Sequence, residues 1–480
     1  MHTPPVLYIL GLLLCGLAAV MLLPAGLDAL VAHPDWKSFV ISAGVTGGVG
    51  ALLAIITYSP EPVELDLRQS FLLTASSWVV LPAFAALPLI GVGVSYTDAF
   101  FEAVSGLTTT GSTVMTGLDT LPYGILFWRA LLQWIGGIGI IVMAIVLLPF
   151  LRVGGMQLFR TESSEQSEKI IPKAFHFVAY IAAAYTSLTA LCALSFAIAG
   201  MSGFDAICHA MTTLSTGGYS NHDASFGFFD SRLMQWIATL FMISGAVPFV
   251  AYIRMLRGDE RKIWDDVQIR GLIRFLTSII LILTVWRVAS ADAEPFTALT
   301  EAAFNVTSVV TTTGFASTDY SLWGPAALGG FLFLTFVGGC AGSTSGGIKI
   351  YRFQVLWIVL RAKLRQLMSP HRIVSMRYGS RSIPSDVPEA VLAFLTAFLG
   401  TVAVFTFALS LMGLDLITAL TASATAITNV GPGLGEIIGP AGNFAPLPDG
   451  AKWLLSLAML FGRLEIFTLL LLLDPEFWRP

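Results

Sequence analysis

The chain carries one local pattern four times, and this internal repeat limits its possible folds more than any other feature. In each copy an alanine lies twelve residues before a glycine that ends a short polar stretch. The glycines are Gly111, Gly218, Gly314 and Gly431, the alanines are Ala99, Ala206, Ala302 and Ala419, and the residues before those alanines are Asp98, Asp205, Glu301 and Thr418. Asp, Glu and Thr are residue types that cap or favour a helix N-terminus. Each copy therefore predicts a capped half-helix of about three turns followed by Thr/Gly-rich peptide, between two longer apolar segments.

Those longer segments are apolar enough to cross a membrane. The composition is 55% hydrophobic and 12% charged, and this charged share is about half that of ordinary soluble domains. A spanning helix needs roughly 20 apolar residues, and ten segments qualify: 6–27, 38–58, 70–93, 124–150, 175–200, 232–256, 270–290, 326–361 (interrupted), 387–413 and 451–473. A secretory signal would require Lys or Arg before its apolar run, and neither precedes the first segment. The sequence predicts an all-α membrane protein with ten transmembrane helices, the first of them retained.

Positive charge is confined to alternate loops. With a cytoplasmic N-terminus, the inner loops contain Arg68 and the basic residues within 152–173, 254–274 and 361–381. No Lys or Arg occurs at 69–128, 175–231, 288–348 or 382–451, and these intervals contain all four polar stretches. The positive-inside rule therefore predicts that the stretches enter the membrane from the outside and return there.

Four re-entrant peptides of this kind predict a cation site. Irregular backbone at membrane depth is tolerated where it is buried in protein or lines water, so the copies are expected to meet on one pseudo-fourfold axis. Their carbonyl oxygens would there replace the hydration shell of potassium, and the negative ends of the half-helices favour a cation. The predicted filter residues are Thr109, Thr110, Gly111, Thr216, Gly217, Gly218, Thr312, Thr313, Gly314, Asn429, Val430 and Gly431. The alternative, small residues that serve helix packing alone, does not explain four copies in phase.

The eighth apolar segment is interrupted by a glycine-rich stretch at 338–349, which predicts a loop inside the membrane because such a sequence makes a poor helix. Its candidate residues are Gly338, Gly339, Gly342, Ser343, Thr344, Ser345, Gly346, Gly347 and Lys349. The spacing does not fit the phosphate-binding pattern GxxxxGK[ST]. Two interpretations stay open, a movable loop and a kinked helix packed closely against a neighbour.

Several polar residues lie in or beside apolar segments. Arg463 and Glu465 are two residues apart in the last segment and point to different faces, so no pair between them is predicted. Residues nine before three of the repeat glycines, Glu102, His209 and Asn305, predict hydrogen bonds behind the polar stretches. His222 and Asp223 are interpreted as solvated residues rather than a metal site. The four cysteines stand singly, which predicts neither a zinc site nor a disulfide framework.

The repeated Thr-x-Gly pattern resembles the TrkH/KtrB/HKT superfamily of potassium transporters, whose filters have this form; Asn429 departs from it in the fourth copy. Two helices before the first repeat are similar to the TrkH branch. The resemblance implies potassium uptake through a channel-like pore in the bacterial inner membrane, a gating loop below the filter, and Arg463 projecting into the pore. Structural pairing of Arg463 with a neighbouring helix stays open as the alternative. In plant members a serine at the first filter glycine accompanies sodium permeation, so Gly111 favours potassium. The resemblance also implies a homodimer with one pore in each monomer, and a cytoplasmic ring of nucleotide-binding (RCK-type) regulatory subunits, for which the basic surfaces at 254–274 and 361–381 are candidate contacts.

The repeat divides the chain into five predicted units: two additional helices at 1–60, then pore repeats at 61–165, 166–260, 261–380 and 381–480. A secondary symporter coupling potassium to protons or sodium is the main alternative, although such carriers usually show two repeats. An intramembrane enzyme would need a catalytic constellation that the sequence does not offer. No bound cofactor other than transported potassium and no nucleic-acid partner is predicted.

Overall fold

The computed structural model describes residues 3–61, 65–146, 170–256, 261–291, 293–369, 371, 374–384 and 386–479. The predicted boundary between the first two repeats, at 165 and 166, lies outside these ranges, as do Arg152, Arg160, Lys169 and Arg257.

Helices dominate the described chain. In order they are α1 Pro4–Leu30, α2 Trp36–Ile56, α3 Leu67–Ala85, α4 Leu87–Ile90, α5 Tyr96–Leu107, α6 Tyr123–Val146, α7 Ile170–Ile198, α8 Gly203–Leu214, α9 Arg232–Ala246, α10 Phe249–Leu256, α11 Arg261–Asp265, α12 Val267–Ala291, α13 Pro295–Val310, α14 Pro325–Phe336, α15 Ile350–Met368, α16 Asp386–Leu411, α17 Leu416–Thr428, α18 Asp449–Arg463, α19 Ile466–Leu473 and α20 Pro475–Trp478. Three short 3-10 helices lie at Leu118–Thr120, Ser225–Phe228 and Tyr320–Trp323. Two strand pairs complete the fold: β1 (Val337–Gly338) runs parallel to β2 (Ile348–Lys349), and β3 (Arg377–Tyr378) antiparallel to β4 (Arg381–Ser382).

The number of membrane spans depends on how broken helices are counted. Within the described ranges, seven helices are long and apolar enough to cross a membrane, and nine spans result if each of two bent pairs is one. The sequence predicted continuous helices at 232–256 and 451–473, and this was wrong. The first breaks between α9 and α10 with a 94° bend, and the second between α18 and α19 with a 110° bend. Pro248 removes a backbone donor at the first break, and Glu465 has a left-handed φ of 55° at the second.

The four predicted half-helices are present as α5, α8, α13 and α17, with 12, 12, 16 and 13 residues. Their caps lie upstream of the positions that the sequence indicated. Ser95, Ser202 and Asp415 accept hydrogen bonds from the backbone N–H three residues on, and Glu294 caps α13. In α5 and α8 the acidic residues predicted as caps instead occupy the third helical position and accept from the capping serine, an arrangement that fixes the start of each helix.

The first two helices form a close antiparallel pair beside the first repeat. Gly11 and Gly50 face each other, and a Cβ added at either would lie 2.7–2.8 Å from the other's carbonyl oxygen. The buried Asp28 of α1 accepts a hydrogen bond from Gly124 N at 2.7 Å, at the start of α6. This contact joins the additional helices to the repeat unit.

Candidate functional site

The four Thr/Gly segments that follow the half-helices share one backbone conformation. We call 109–111, 216–218, 312–314 and 429–431 segments 1 to 4. The first residue of each has a left-handed φ, 52° at Thr109 and Thr216 and 57° at Thr312 and Asn429. The glycine at the third position also has positive φ, between 74° and 112°, which L side chains rarely adopt. The middle residues do not, so the sign of φ alternates along each segment.

The segments contact one another in a closed ring. A Cβ placed on Gly111 would clash with the carbonyl oxygen of Gly217, one on Gly218 with that of Thr313, and one on Gly314 with that of Val430. The ring closes because a Cβ on Gly431 would lie 2.7 Å from the carbonyl oxygen of Thr110. Each glycine thus faces the middle carbonyl of the next segment. Only a residue without a side chain permits this approach.

Segments 1 and 4 are also joined by side chains. Ser112 Oγ donates to the carbonyl of Gly431 at 2.8 Å. Asn429 Nδ2 donates to Thr110 Oγ1 at 2.9 Å and to the carbonyl of Met459 at 3.1 Å. Asparagine at this position therefore replaces the threonine of the other copies with an amide that holds its neighbour.

The glycine-rich stretch between α14 and α15 is a loop flanked by the β1–β2 pair. The break between α9 and α10 leaves backbone carbonyls without helical partners, and the loop satisfies them. Cys340 N donates to the carbonyl of Ala246 at 3.0 Å and Thr344 N to that of Gly245 at 3.2 Å. The loop also receives a hydrogen bond, from Phe249 N to the carbonyl of Gly342 at 2.9 Å. The kinked-helix interpretation was therefore wrong, because the stretch is not helical.

This loop lies directly against the first residues of segments 2 and 3 and against the residue just before segment 4. Thr344 Oγ1 lies 3.2 Å from Thr216 Oγ1, and Ser345 Oγ lies 3.3 Å from Thr312 Oγ1. Gly346 N donates to Thr312 Oγ1 at 2.7 Å, and a Cβ on Gly346 would clash with the carbonyl of Thr428. All these hydroxyls are buried.

Arg463, at the end of α18, contacts the same loop. Its Nη1 donates to the carbonyl of Thr344 at 3.0 Å, and its Nε and Nη2 have no hydrogen-bond partner within the described ranges. The guanidinium borders a cavity of about 30 Å³ that is also lined by loop residues Ser343, Ser345 and Lys349 and by Asn429. A cavity of this size is large enough for a water molecule. Lys349 donates back to the carbonyl of Ser345 inside the loop.

As the sequence predicted, Glu465 and Arg463 do not form a pair. Its carboxylate instead accepts from Arg352 Nη2 at 2.8 Å, where the arginine side chain is fully buried and the glutamate 10% exposed. Arg352 also lies over the ring of Phe394, with 3.5 Å between its Cζ and the centroid. The pair ties the start of α15, just after the loop, to the break in the last span.

The three polar residues nine positions before the glycines make the predicted hydrogen bonds. Glu102 accepts from Thr113 Oγ1 and Val114 N, His209 Nε2 contacts Ser220 Oγ at 3.0 Å, and Asn305 Nδ2 donates to Ser317 Oγ. Each therefore holds the peptide that follows its own segment. The fourth copy has Ala422 there, which offers no such bond.

Two further buried residues beside segment 2, Gln133 and Arg129, were not predicted. Gln133 donates to the carbonyl of Gly217 at 2.7 Å and accepts from Tyr219 N at 3.0 Å. Arg129 forms an ion pair with Glu102, with 2.8 Å between its Nε and the Oε1 atom. The available signal was an arginine inside a predicted span, where charged residues are costly; its partner could not be read from the sequence.

His222 is packed rather than freely solvated, contrary to the prediction. Its ring stacks on Phe228 at 3.5 Å between centroids, and its Nδ1 lies 2.5 Å from Asp119 Oδ1. Burial opposes the charged imidazole, but the nearby carboxylates of Asp205 and Asp119 raise the pKa of His222 above its ordinary value. Asp223 accepts from Leu118 N at 3.2 Å. In the part of the chain that the structure describes, no group of three or more His, Cys, Asp or Glu side chains is arranged for a metal ion.

A sequence profile of the TrkH family, described as cation transport proteins, matches residues 49–478. The chain belongs to the TrkH family. This confirms the resemblance drawn from the repeated segments.

Full-length relatives of this TrkH-family chain agree with the profile. It is 49% identical over 478 residues to the Trk system potassium uptake protein TrkI of Halomonas elongata, which covers 99% of this chain and 97% of the relative. It is 38% identical over 489 residues to TrkH of Escherichia coli, which covers 100% of both. The crystal structure of the potassium transporter TrkH from Vibrio parahaemolyticus superposes with a TM-score of 0.92 at 37% identity, over 100% of both chains. With at least seven apolar spans, this family member is a membrane protein.

Proposed function

We propose that this TrkH-family chain takes up potassium through a channel-like pore in which segments 1 to 4 form the selectivity filter. The closed ring of segments with the same alternating backbone carries the proposal. Backbone carbonyls from four peptides around one axis can replace the water around a dehydrated cation. Relatives at 38–49% identity are called potassium uptake proteins, which supports potassium as the ion.

The loop at 338–349 is proposed as the gate. Its hydroxyls contact Thr216 and Thr312, the first residues of two filter segments, so it blocks the path below the filter in this arrangement. Arg463 holds the loop through the carbonyl of Thr344 and places a positive charge in the same space. A cation would cross only after the loop moves away.

The full architecture is proposed to have pseudo-fourfold symmetry and ten spans. The seven long helices and two bent pairs supply nine, and α14, the loop and α15 together supply the tenth. The N-terminus is proposed to be cytoplasmic and the membrane to be the bacterial inner membrane, because the basic residues then lie inside. A homodimer with RCK-type regulatory subunits on the basic surfaces is proposed from the family resemblance.

The decisive experiment is the substitution Gly111→Ser. A Cβ at this position clashes with the carbonyl of Gly217 and forces segments 1 and 2 apart. We expect the potassium-to-sodium permeability ratio, measured from reversal potentials in proteoliposomes, to fall by roughly tenfold or more.

The matched control is Gly117→Ser. Gly117 also has a positive φ, of 70°, but the nearest atom to an added Cβ is 3.6 Å away. It therefore carries the backbone strain without the clash, and its selectivity should match the parent. Unchanged selectivity in Gly111→Ser would refute the filter assignment. Current strictly proportional to a proton or sodium gradient would instead favour the symporter.

A further inference from the structure

Glu102 and Arg129 form a buried ion pair behind segments 1 and 2. Both side chains are 1% exposed, and Arg129 Nε lies 2.8 Å from Glu102 Oε1. Glu102 belongs to the half-helix α5 and Arg129 to the spanning helix α6. Removing two charges from water is costly unless further hydrogen bonds satisfy them, and both residues make such bonds.

The guanidinium contacts the peptides that follow two different segments. Nη1 donates to the carbonyl of Ser220 at 2.8 Å, and Nη2 donates to Thr113 Oγ1 at 3.2 Å. Thr113 follows segment 1 and Ser220 follows segment 2. A planar guanidinium with donors in fixed directions therefore sets the distance between the two peptides.

Tyr219 contacts both members of this ion pair. Arg129 Cζ lies 4.2 Å from the centre of its ring, and the Tyr219 hydroxyl donates to the carbonyl of Glu102 at 2.9 Å. The same hydroxyl lies 3.2 Å from the carbonyl of Ser112. Residues next to segments 1 and 2 thus meet at one buried cluster.

The other repeats have simpler supports. His209 and Asn305 each bond a residue that follows their own segment, and Ala422 bonds none through its side chain. Among the described residues in these positions, only the Glu102 site has a buried counter-charge that reaches the neighbouring repeat. A residue that supported only its own half-helix would not need a contact with the neighbouring repeat.

Resting on the proposed function, we infer that Arg129 is a positioning residue for ion selectivity, which fixes the separation of segments 1 and 2 through Glu102, Thr113 and Ser220. A carbonyl site discriminates between cations by the number and spacing of its oxygens. A looser contact between segments 1 and 2 therefore admits a smaller cation. The charge of Arg129 is balanced by Glu102 and does not repel the ion.

The test is Arg129→Lys. Lysine keeps the charge opposite Glu102, but its single ammonium cannot reproduce the fork that also reaches Ser220 and Thr113. In proteoliposomes we expect the potassium-to-sodium permeability ratio to fall by roughly tenfold, with potassium current retained. The control is Arg287→Lys. Arg287 pairs with Glu301 of the half-helix α13 and lies 4.0 Å from the ring centre of Trp323, and no described contact of its guanidinium reaches a neighbouring repeat.

Tyr219→Phe provides a second variant in case Arg129→Lys does not fold. It keeps the ring under the guanidinium and removes the two carbonyl contacts, so a smaller fall in the ratio is expected. Parent-like ratios in both folded variants, or an equal fall in Arg287→Lys, would overturn the inference. If Gly111→Ser changes selectivity while these variants do not, the filter assignment survives and only the role of Arg129 is refuted. If none changes it, both are refuted.

Discussion

The first residues of the four segments differ in what their side-chain oxygens contact. The hydroxyls of Thr216 and Thr312 meet loop hydroxyls, whereas Thr109 Oγ1 and Asn429 Oδ1 have no hydrogen-bond partner within the described ranges. Under the proposed function, a cation at the inner end and the closed loop would use the same two threonine oxygens. Ion occupancy there should therefore oppose closure.

Thr344 is the loop residue whose hydroxyl has the most contacts outside the loop. It donates to the carbonyls of Leu214 and Gly245 at 3.1 and 2.9 Å and lies beside Thr216. We expect Thr344→Val, which preserves shape, to destabilise the closed loop by about 1–3 kcal/mol. Basal potassium flux into proteoliposomes, without any regulatory subunit, should then rise by roughly fivefold or more.

Ser343→Ala is the matched control, because the Ser343 hydroxyl bonds the carbonyl of Cys340 within the loop. Its basal flux should stay close to that of the parent. A Thr344→Val protein that is folded and no more active than the parent would contradict the gating role.

Broken helices place the loop and the segments in contact. Each break frees backbone groups and turns the chain, at Pro248 between α9 and α10 and at Glu465 between α18 and α19. The first break supplies carbonyls to the loop, and the second supplies the carboxylate for Arg352. The breaks are thus the elements that hold the loop in place.

The pair of Arg352 and Glu465 should contribute strongly to stability. Removing one partner leaves a buried charge uncompensated, so we expect Arg352→Met to lower the free energy of unfolding by about 3–5 kcal/mol. The double variant Arg352→Met with Glu465→Gln should recover much of this loss. Denaturant unfolding of the detergent-solubilised protein measures both.

An exposed pair serves as the comparison. Arg232 and Glu294 lie 3.7 Å apart with side chains 56% and 58% exposed, so Arg232→Gln should cost less than about 1 kcal/mol. Equal losses for Arg232→Gln and Arg352→Met would show that burial of the pair of Arg352 and Glu465 has no energetic effect.

The breaks mark where sequence reasoning failed at the level of elements. Residues 232–256 and 451–473 are apolar over a full span, and apolar length alone does not show where a helix turns. Pro248 was a usable signal, whereas the left-handed φ of Glu465 had no local indicator. The half-helices were predictable because their spacing and polarity recur in four copies, although their caps lie upstream of the indicated residues.

At the scale of the whole molecule, the first two repeats are joined at His222. Its ring lies between Asp119 of repeat 1 and Asp205 of repeat 2, with His209 stacked 6.2 Å away and Asp223 adjacent in the chain. Because the pKa of His222 is raised in the folded protein, its pairing stabilises the fold below the ordinary histidine pKa of about 6.5. That stabilisation is lost as the pH rises through the raised value.

We therefore expect His222→Gln to lower the melting temperature at about pH 5.5 by about 1–2 °C, and the difference from the parent to vanish at about pH 8.5. His33→Gln is the control, since His33 lies 41% exposed between α1 and α2. A difference that is the same at both pH values would contradict the assigned role of the imidazolium.

The sequence was most informative about what repeats and least about what joins the repeats. The segments, the loop and the three supports at Glu102, His209 and Asn305 follow from local spacing. Contacts such as Arg129 to Ser220, Asn429 to Thr110 and Arg352 to Glu465 connect residues 91, 319 and 113 positions apart. No local pattern specifies such pairs, because they depend on how separate helices meet.

Within the ranges that the structure describes, the glycine-rich loop occurs once, between α14 and α15, although the segments occur four times. In a channel of four identical subunits, all four subunits would move together when the pore closes. Under the proposed function, one loop from a single repeat covers the passage. In that proposal, opening depends on one local rearrangement, so a single regulatory contact near α14 or α15 would be enough to control the pore.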